Sequence, residues 1–329
     1  MKKNLLISDS ARRRLAPQLD KISSQLEFLE IGAKGVVQYN GKPADLDALP
    51  IQLGWFGRDV FHGGYAAEFM QMMLKAPALE WMQTLNAGLD SPVFKQFAQK
   101  GIRLSNSDAQ APAIAEYVVA SVLHRYQNFE LRRKHQQSHE WSGNNFRELY
   151  DSNWMVIGFG NIGSLVGKRV QAFQGHVTGV KRSAADVQGA DKIITFEEIH
   201  DHLPDQDVVV LSCALSDVTR DIVNEQFLGR LKSDAVLVNI GRGGLVDEDA
   251  LLTALNQDAL DYAILDVFKQ EPLPSDSAFW DHDRVLITPH SSNQGLGTGD
   301  RGDALFLHNL QAYLADEALR NEVDMSTLL

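Results

Sequence analysis

The sequence predicts an α/β protein built from two doubly wound parallel-sheet domains, and three observations support this prediction. The chain has 329 residues, which is enough for two domains of ordinary size. Apolar residues make up 44% of the chain, which allows two cores and argues against disorder. Short β-rich segments alternate with longer amphipathic ones, as in parallel sheets with crossover helices.

The first series of predicted strands lies before residue 105. Residues 3–8 (KNLLIS) have the composition of a strand, and residues 11–22 have that of the helix that follows it. Four further segments continue the series, namely QLEFLEI, PIQLGWF, LEWMQTL and GIRLSN. This part of the chain therefore predicts one parallel sheet with its own helices.

A long helix is predicted over residues 112–135, where Pro112 suits the first turn. Ile114, Val118 and Val122 form an apolar stripe on it, which fits either a dimer interface or ordinary core packing. A second strand series follows, made of WMVIGF, HVTGV, DVVVLSC, AVLVNI, YAILDV and RVLITP. This series is typical of a second doubly wound domain.

The end of the chain predicts how the domains are connected. Residues 291–302 are rich in glycine and polar residues and are predicted to be a connector. The helix predicted over 303–314 has no sheet of its own, so we expect it to pack on the first domain. The second domain is then an insertion: 1–104 and 294–329 form the outer domain, and 105–293 form the inserted one.

Composition narrows the choice of partners and compartment. The net charge of −12 argues against nucleic acid or an anionic membrane, but it allows a small anionic substrate in a local basic pocket. No apolar run reaches the roughly 18 residues of a membrane helix, and the N-terminus lacks a signal-peptide core. The single cysteine, Cys213, excludes an internal disulfide and fits a reducing cytosol. We therefore expect a cytoplasmic protein with no membrane contact.

A glycine-rich turn predicts a dinucleotide site. Gly158, Gly160 and Gly163 have the G-x-G-x-x-G spacing, between an apolar strand and a helix-compatible segment. The first glycine permits the tight turn, the second allows a pyrophosphate to approach, and the third lets helix and strand pack closely. Asn161 and Ile162 complete the turn and begin a helix whose N–H groups favour phosphate. An ordinary βα turn, or a fold that binds S-adenosylmethionine, has the same spacing.

The next strand ends in Lys181, Arg182 and Ser183, where many NAD-binding folds carry an Asp or Glu for the ribose hydroxyls. Two cations and a hydroxyl are suited to the 2′-phosphate of NADP. One charge-assisted hydrogen bond contributes roughly 1.5–3 kcal/mol, so one or two give roughly a 10- to 1000-fold preference. We expect NADP(H) to be preferred and NAD(H) to be possible, since a solvated basic loop would tolerate either.

Three residues whose side chains could take part in catalysis follow strands of the second series. Arg242, Glu271 and His290 each have a simple alternative interpretation, as a surface arginine, a solvated loop acid and a structural histidine. However, the carboxyl ends of parallel strands meet at one edge of a sheet, which is where such folds bind ligands. The three residues together therefore predict an active site at this edge.

Four segments are similar, in their order and in combination, to the D-2-hydroxyacid dehydrogenase family, within the formate and glycerate dehydrogenase group. They are residues 85–90, 158–163, 239–251 and 265–292. The chain most resembles the glyoxylate/hydroxypyruvate reductase branch. This resemblance implies a Rossmann dinucleotide domain inserted into a flavodoxin-like substrate domain, and a homodimer.

The resemblance also implies the catalytic roles. Arg242 matches the arginine that binds the substrate carboxylate and 2-oxo oxygen, and His290 matches the acid that protonates this oxygen. Glu271 matches the carboxylate that bonds to the histidine and keeps it cationic. Elementary chemistry agrees, because an opposite charge favours imidazolium, and an arginine stabilises developing alkoxide charge.

Further contacts are implied by the same resemblance. Asn86, Ala87, Gly88 and Leu89 match a turn whose N–H groups receive the substrate carboxylate. Asp266 matches a residue near the nicotinamide carboxamide, with a satisfied strand-end acid as the alternative. Other residues implied near the cofactor follow strand ends or lie beside the nicotinamide: Ser212, Cys213, Ala214, Leu215, Ile240, Ser291 and Ser292.

Aromatic residues of the first domain leave two interpretations open. Trp55 and Phe56 either line the pocket for the substrate side chain or belong to the core. Arg58 either adds a second basic contact or forms a salt bridge with an acid such as Asp59.

The predicted function is the NADP(H)-dependent reduction of a small 2-oxo acid, of the glyoxylate or hydroxypyruvate type, to the D-2-hydroxy acid, without a metal. One alternative is the same chemistry on a longer or branched 2-oxo acid. Another is a nucleotide-sensing protein without activity. A formate-oxidising site would be expected to carry Gln at position 271, where this chain has Glu.

Overall fold

The structure is a computed structural model that describes residues 2–182 and 188–328. Contacts divide the chain into two compact units, residues 1–110 with 296–329, and residues 111–295. Each unit contains a sheet of seven strands. The α/β fold class with two doubly wound, mainly parallel sheets is confirmed.

The first unit has a mainly parallel sheet. Its strands are β1 (Lys3–Ser8), β2 (Leu26–Ile31), β3 (Val37–Tyr39), β4 (Lys42–Pro43), β5 (Leu53–Phe56), β6 (Trp81–Thr84) and β7 (Arg103–Ser105). Their order is β4-β3-β2-β1-β5-β6-β7, in which β3 and β4 form an antiparallel edge. The five parallel strands have the flavodoxin-like order, with the first strand at the switch point.

Helices cover both faces of this sheet. They are α1 (Asp9–Arg14), α2 (Ala16–Leu19), α3 (Arg58–His62), α4 (Ala66–Lys75) and α5 (Pro92–Gln99). Leu5, Leu6 and Ile7 are all fully buried, because consecutive side chains of a covered parallel strand enter cores on opposite faces. The single helix predicted over 11–22 is wrong in detail. Pro17 lacks an N–H and lies in the first turn of the separate helix α2.

The second unit has an entirely parallel sheet. Its strands are β8 (Asn153–Ile157), β9 (His176–Val180), β10 (Lys192–Ile194), β11 (Val208–Leu211), β12 (Val236–Asn239), β13 (Tyr262–Leu265) and β14 (Val285–Ile287). Their order is β10-β9-β8-β11-β12-β13-β14. This is the dinucleotide-binding order with one further strand, and its switch point lies between β8 and β11.

The helices of this unit correct one prediction. They are α6 (Ala111–Tyr126), α7 (Phe129–Gln137), α8 (Asn161–Ala172), α9 (Ile199–His202), α10 (Glu225–Leu228) and α11 (Glu248–Asn256). The single helix predicted over 112–135 is two helices, because Asn128 has a left-handed φ of 51°. Ile114, Val118 and Val122 are buried in the core of the unit with Trp154, which agrees with the core interpretation of the stripe.

The last helix, α12 (Thr298–Leu314), belongs to the first unit. It begins five residues earlier than the predicted helix over 303–314, so the connector predicted over 291–302 is wrong in its last part. The ring of Phe306 stacks on that of Trp55, with centroids 4.7 Å apart, and lies near Trp81. Asn309 Nδ2 donates a hydrogen bond to Gln83 Oε1 at 2.7 Å. Arg14 Nε, at the end of α1, donates to Asp303 Oδ2 at 2.7 Å, so polar and apolar contacts both attach α12 to the rest of the unit. Within the described residues, no helix combines the length and apolarity needed to cross a membrane.

Candidate active site

The candidate site lies at the carboxyl ends of the parallel strands of the second sheet. Strands β8, β11, β12, β13 and β14 are parallel neighbours, so the loops that follow them emerge on the same side. These loops contain most of the site residues predicted for the second unit, including the glycine turn, Arg242, Glu271 and His290. Within the described residues, no cluster of His, Cys, Asp or Glu has an arrangement that could hold a metal ion.

Two glycines of the turn are required by backbone geometry. Gly158 has a left-handed φ of 95°, and a Cβ there would lie 2.4 Å from the backbone nitrogen of Cys213. A Cβ on Gly163 would lie 2.6 Å from the carbonyl oxygen of Gly158. A Cβ on Gly160 would meet nothing within 4 Å. The turn is therefore tight on its inner side and open at Gly160, which fits the approach of a phosphate.

Helix α8 adds donors to this turn. It begins at Asn161, with Gly160 as an N-cap that has no side chain to accept from the first N–H groups. Its first turn carries no acidic residue. Ile162 lies in that turn. The N–H groups of a helix N-terminus and its positive dipole end favour an anion, so these residues fit the pyrophosphate of a dinucleotide.

The basic residues after β9 lie where the sequence predicts them. The Lys181 N–H donates to the Ile194 oxygen at 3.0 Å, which fixes its backbone at the end of the strand. The Lys181 residue is half-buried and Arg182 is exposed. Ser183, the third predicted ligand of the 2′-phosphate, lies outside the described residues.

Close backbone contacts connect the loops. A Cβ on Gly241 would lie 3.0 Å from the Cys213 oxygen, so the loop after β12 packs on the loop after β11. A Cβ on Gly243 would lie only 1.9 Å from the carbonyl carbon of Phe268, in the loop after β13. Gly243 was not predicted as a site residue, although its position next to Arg242 in an R-G-G sequence was an available signal.

Arg242 lies between Gly241 and Gly243, the two glycines that form these close backbone contacts. Its Nη1 donates to the Gly241 oxygen at 2.7 Å, and its carbonyl oxygen accepts from Asn239 Nδ2 at 3.0 Å. The residue is half-buried. A guanidinium presents its N–H donors in a planar fork, and this geometry matches that of a carboxylate.

Glu271 and His290 form a pair. His290 Nδ1 lies 2.8 Å from Glu271 Oε2, and Glu271 Oε1 accepts from the Phe268 N–H at 3.0 Å. A carboxylate can only accept, so Nδ1 carries the proton and donates it. This arrangement leaves Nε2 for a reacting oxygen. Both residues are exposed, and His290 has a left-handed φ of 51°, a conformation that costs energy for a residue with a Cβ.

The side chain of Asp266 is buried and forms several hydrogen bonds within the second unit. It is 1% exposed. Its Oδ1 accepts from Thr288 Oγ1 at 2.5 Å and from the Ser291 N–H at 2.8 Å, and its Oδ2 accepts from the Ser292 N–H at 3.1 Å. These contacts match the satisfied strand-end alternative, while a contact with the nicotinamide carboxamide stays a prediction. Sequence reasoning missed Thr288, which precedes Pro289 without any distinguishing pattern.

The loop after β11 packs against the glycine turn that follows β8. Ser212 Oγ donates to the Gly158 oxygen at 2.7 Å. The Ala214 oxygen accepts from Thr219 Oγ1 at 2.8 Å, and a Cβ on Gly244 would lie 2.9 Å from Leu215 Cδ2. Ile240, which precedes the Arg242 loop, is buried. The predicted contacts of this loop with the adenosine side stay predictions.

Burial raises the pKa of the Cys213 thiol to about 11, so we expect it to resist alkylation in the folded protein. At pH 8 such a thiol is only about 0.1% thiolate, and the thiolate is the reactive form. The rate of iodoacetamide labelling should therefore keep rising as the pH approaches 11. In protein unfolded by guanidinium, the rise should level off above about pH 8.5. Equal pH profiles for the two forms would contradict this assignment.

The first unit contains the predicted substrate turn. Asn86 Oδ1 accepts from Thr84 Oγ1 at 2.8 Å, and the Ala87 oxygen accepts from Asn106 Nδ2 at 2.8 Å. These contacts fix the backbone before Gly88. Leu89 packs against the core of the same unit.

The aromatic residues of β5 occupy the core. Trp55 is 1% exposed and stacked on Phe306, and Phe56 is buried as well. The structure thus corrects the interpretation of Trp55 as a substrate contact, because its ring is covered by α12. Arg58 Nη2 lies 3.9 Å from Asp300, which corresponds to the salt-bridge alternative.

Comparison with known proteins adds independent information. Residues 119–292 match the family model described as "D-isomer specific 2-hydroxyacid dehydrogenase, NAD binding domain". An uncharacterised protein from Corynebacterium melassecola is 31% identical over 81% of this chain and 88% of its own. A glyoxylate/hydroxypyruvate reductase from Arabidopsis thaliana is 28% identical, over 81% of this chain and 85% of its own.

Solved structures share the fold over the whole chain. A D-isomer specific 2-hydroxyacid dehydrogenase family protein from Aeromonas salmonicida has a TM-score of 0.81 at 25% identity, with 99% of this chain and 100% of that chain covered. An NADPH-dependent glyoxylate/hydroxypyruvate reductase from Sinorhizobium meliloti, in complex with NADP and sulfate, has a TM-score of 0.73 at 21% identity. Both chains are covered completely in this second comparison.

Proposed function

The chain belongs to the D-isomer specific 2-hydroxyacid dehydrogenase family, and on this basis we propose that it reduces a small 2-oxo acid to the D-2-hydroxy acid with NADP(H). It is an NAD(P)-dependent enzyme of this family. The proposed substrates are of the glyoxylate or hydroxypyruvate type. The observation that carries the proposal is the 2.8 Å contact between His290 and Glu271 at the carboxyl edge of the sheet.

His290 is the proposed proton donor. When bound, the nicotinamide supplies a hydride to C2 of the 2-oxo acid. The proton on Nε2 of the imidazolium goes to the 2-oxo oxygen, which becomes the hydroxyl of the product, and the ring is left neutral. Glu271 holds Nδ1–H throughout, which orients the ring and leaves Nε2 for the reacting oxygen.

Arg242 is the proposed anchor for the substrate. A planar guanidinium can bind the carboxylate with two parallel N–H donors, which a lysine cannot do. The same group stabilises the negative charge that develops on the 2-oxo oxygen. We propose that the N–H groups of Ala87, Gly88 and Leu89 also receive the carboxylate.

The preference for NADP(H) is proposed from Lys181 and Arg182. No acidic residue lies within three residues after β9 in the sequence, where an acid would favour the free ribose of NAD. The Sinorhizobium meliloti structure contains NADP, which is consistent with this choice in a protein of the same fold. NAD(H) remains usable if the two cations are solvated when it binds.

Replacing Arg182 with alanine is expected to weaken the use of NADPH by about 10- to 100-fold in kcat/KM, because one charge-assisted hydrogen bond is lost. NADH use should change less than about twofold. Steady-state kinetics with both cofactors test this prediction. The matched control is Arg133→Ala, an exposed arginine of α7. An equal loss for both cofactors would rule out a contact with the 2′-phosphate.

A substrate panel separates the remaining alternatives. Oxidation of NADPH is followed at 340 nm with glyoxylate, hydroxypyruvate, pyruvate, and longer or branched 2-oxo acids. The highest kcat/KM for glyoxylate and hydroxypyruvate supports the proposal, and a preference for long or branched acids supports the second candidate. Tight NADPH binding without turnover on any of them would contradict the proposal and favour a nucleotide sensor.

We also propose a cytoplasmic homodimer that binds neither nucleic acid nor membranes. The net charge of −12 favours a small anionic substrate over these partners. Trp141 is fully exposed, and Phe146 and Tyr150 are exposed nearby in the sequence. Such apolar exposure is typical of interfaces. Light scattering on the purified protein measures the oligomeric state.

A further inference from the structure

A hydrogen-bonded chain connects helix α6 to the loop that carries His290. Tyr117, on α6, has its phenol oxygen 2.8 Å from Thr288 Oγ1. Thr288 Oγ1 in turn lies 2.5 Å from Asp266 Oδ1. All three residues belong to the second unit, and none of them was predicted to act on His290.

The direction of this chain follows from the donors available. The side-chain oxygens of Asp266 accept from Thr288 Oγ1 and from the N–H groups of Ser291 and Ser292. Thr288 has one hydroxyl proton and donates it to Asp266. Tyr117 must then donate to Thr288. Burial raises the pKa of the Tyr117 phenol, which keeps this donor protonated.

The series of hydrogen bonds from Tyr117 through Thr288 and Asp266 ends at the backbone of His290. The His290 N–H donates to the Asp266 carbonyl oxygen at 2.8 Å, while the Asp266 carboxylate accepts from the next two N–H groups. Asp266 therefore holds three successive N–H groups, at residues 290, 291 and 292. A left-handed histidine persists only where its surroundings impose the conformation, and these contacts provide the restraint.

We propose that Tyr117 and Thr288 are positioning residues for the proton donor. They fix the orientation of the Asp266 carboxylate, which fixes the loop and keeps His290 Nδ1 on Glu271. This inference rests on the proposed role of His290 and extends it to two side chains that act through Asp266. Small displacements of a reacting group cost about 10²-fold in rate, so a modest loss of restraint has a measurable effect.

The first experiment compares Thr288→Val with Thr288→Ser. Valine keeps the shape of the side chain and removes the hydroxyl, whereas serine keeps the hydroxyl. We expect Thr288→Val to lower kcat by about 10- to 100-fold. Thr288→Ser should restore kcat to within about threefold of wild type. A normal kcat in Thr288→Val, or an equal loss in the two variants, would overturn the proposal.

The second experiment uses Tyr117→Phe, with Tyr126→Phe as the matched control. Both tyrosines lie on α6, and the Tyr126 hydroxyl donates only a long bond, of 3.5 Å, to the Asp207 oxygen. We expect Tyr117→Phe to lower kcat by about threefold or more, and Tyr126→Phe to leave it unchanged. If Thr288→Val does not fold, the comparison of Tyr117→Phe with Tyr126→Phe tests the proposal without it. Equal kcat values for these two variants would refute the proposal.

A third measurement does not depend on turnover. The ¹⁵N chemical shift of His290 Nδ1, read through the carbon-bound ring protons and assigned with His290→Gln, reports the bond to Glu271. We expect this shift to change in Thr288→Val and Tyr117→Phe and to be unchanged in Thr288→Ser and Tyr126→Phe. If no 2-oxo acid is reduced, the proposed function fails while this readout still tests positioning. An unchanged shift in Thr288→Val would overturn the inference even in an active enzyme.

Discussion

The His290→Ala variant is expected to lose at least about 10²- to 10⁴-fold in kcat, because the reaction loses its proton donor. Its affinity for NADPH should stay within about threefold of wild type, since the predicted phosphate contacts lie in the glycine turn and after β9. The ring is exposed and contributes little packing, so the melting temperature should change little. Stopped-flow or steady-state assays, fluorescence titration with NADPH and thermal melting measure these three quantities.

The control for this variant is His62→Ala, which removes an exposed histidine of α3. It should retain wild-type kinetics. Turnover of His290→Ala near that of wild type would exclude His290 as the donor. Loss of NADPH binding together with turnover would instead indicate a damaged fold or cofactor site.

The Arg242→Met variant is expected to lose about 10²- to 10³-fold in kcat/KM for the 2-oxo acid, because one group both binds the carboxylate and stabilises the oxyanion. The change should fall on kcat as well as on KM, since the contact with the 2-oxo oxygen strengthens as charge develops. NADPH affinity should not change. Initial rates over a range of substrate concentrations, at saturating NADPH, separate the two constants.

Arg242→Lys serves as the comparison for this variant. Lysine keeps the charge but offers a point donor in place of the planar fork, so we expect only partial recovery. Full activity in Arg242→Lys would show that charge alone suffices. Wild-type kinetics in Arg242→Met would exclude Arg242 from substrate binding.

Much of the fold could be predicted from the sequence because long apolar strands have a clear pattern. The strands that form the centres of both sheets were identified from such segments. The edge strands β3, β4 and β10 were missed, since segments of two or three residues show no periodicity. The break at Asn128 was also missed, because an asparagine can continue a helix or enter the left-handed region, and only tertiary packing selects between them.

The candidate site could be predicted in part, because position at a strand end limits where a side chain can lie. Glu271 and His290 are 19 positions apart in the sequence, and both follow strands that neighbour each other in the sheet. The contact of Gly243 with Phe268 and the chain from Tyr117 to Asp266 could not be predicted. They depend on loop conformations and on how α6 packs, which no local pattern encodes.

The return of α12 to the first sheet has a consequence for biosynthesis. Trp55 and Trp81 stay uncovered on the ribosome until Phe306 has been synthesised, whereas the second unit, residues 111–295, is already complete. We therefore expect the inserted unit to fold first and the N-terminal segment to wait as a partly exposed hydrophobic surface. The emerging chain would need protection from aggregation during this interval. Synthesis of residues 296–329 would then complete the core of the first unit.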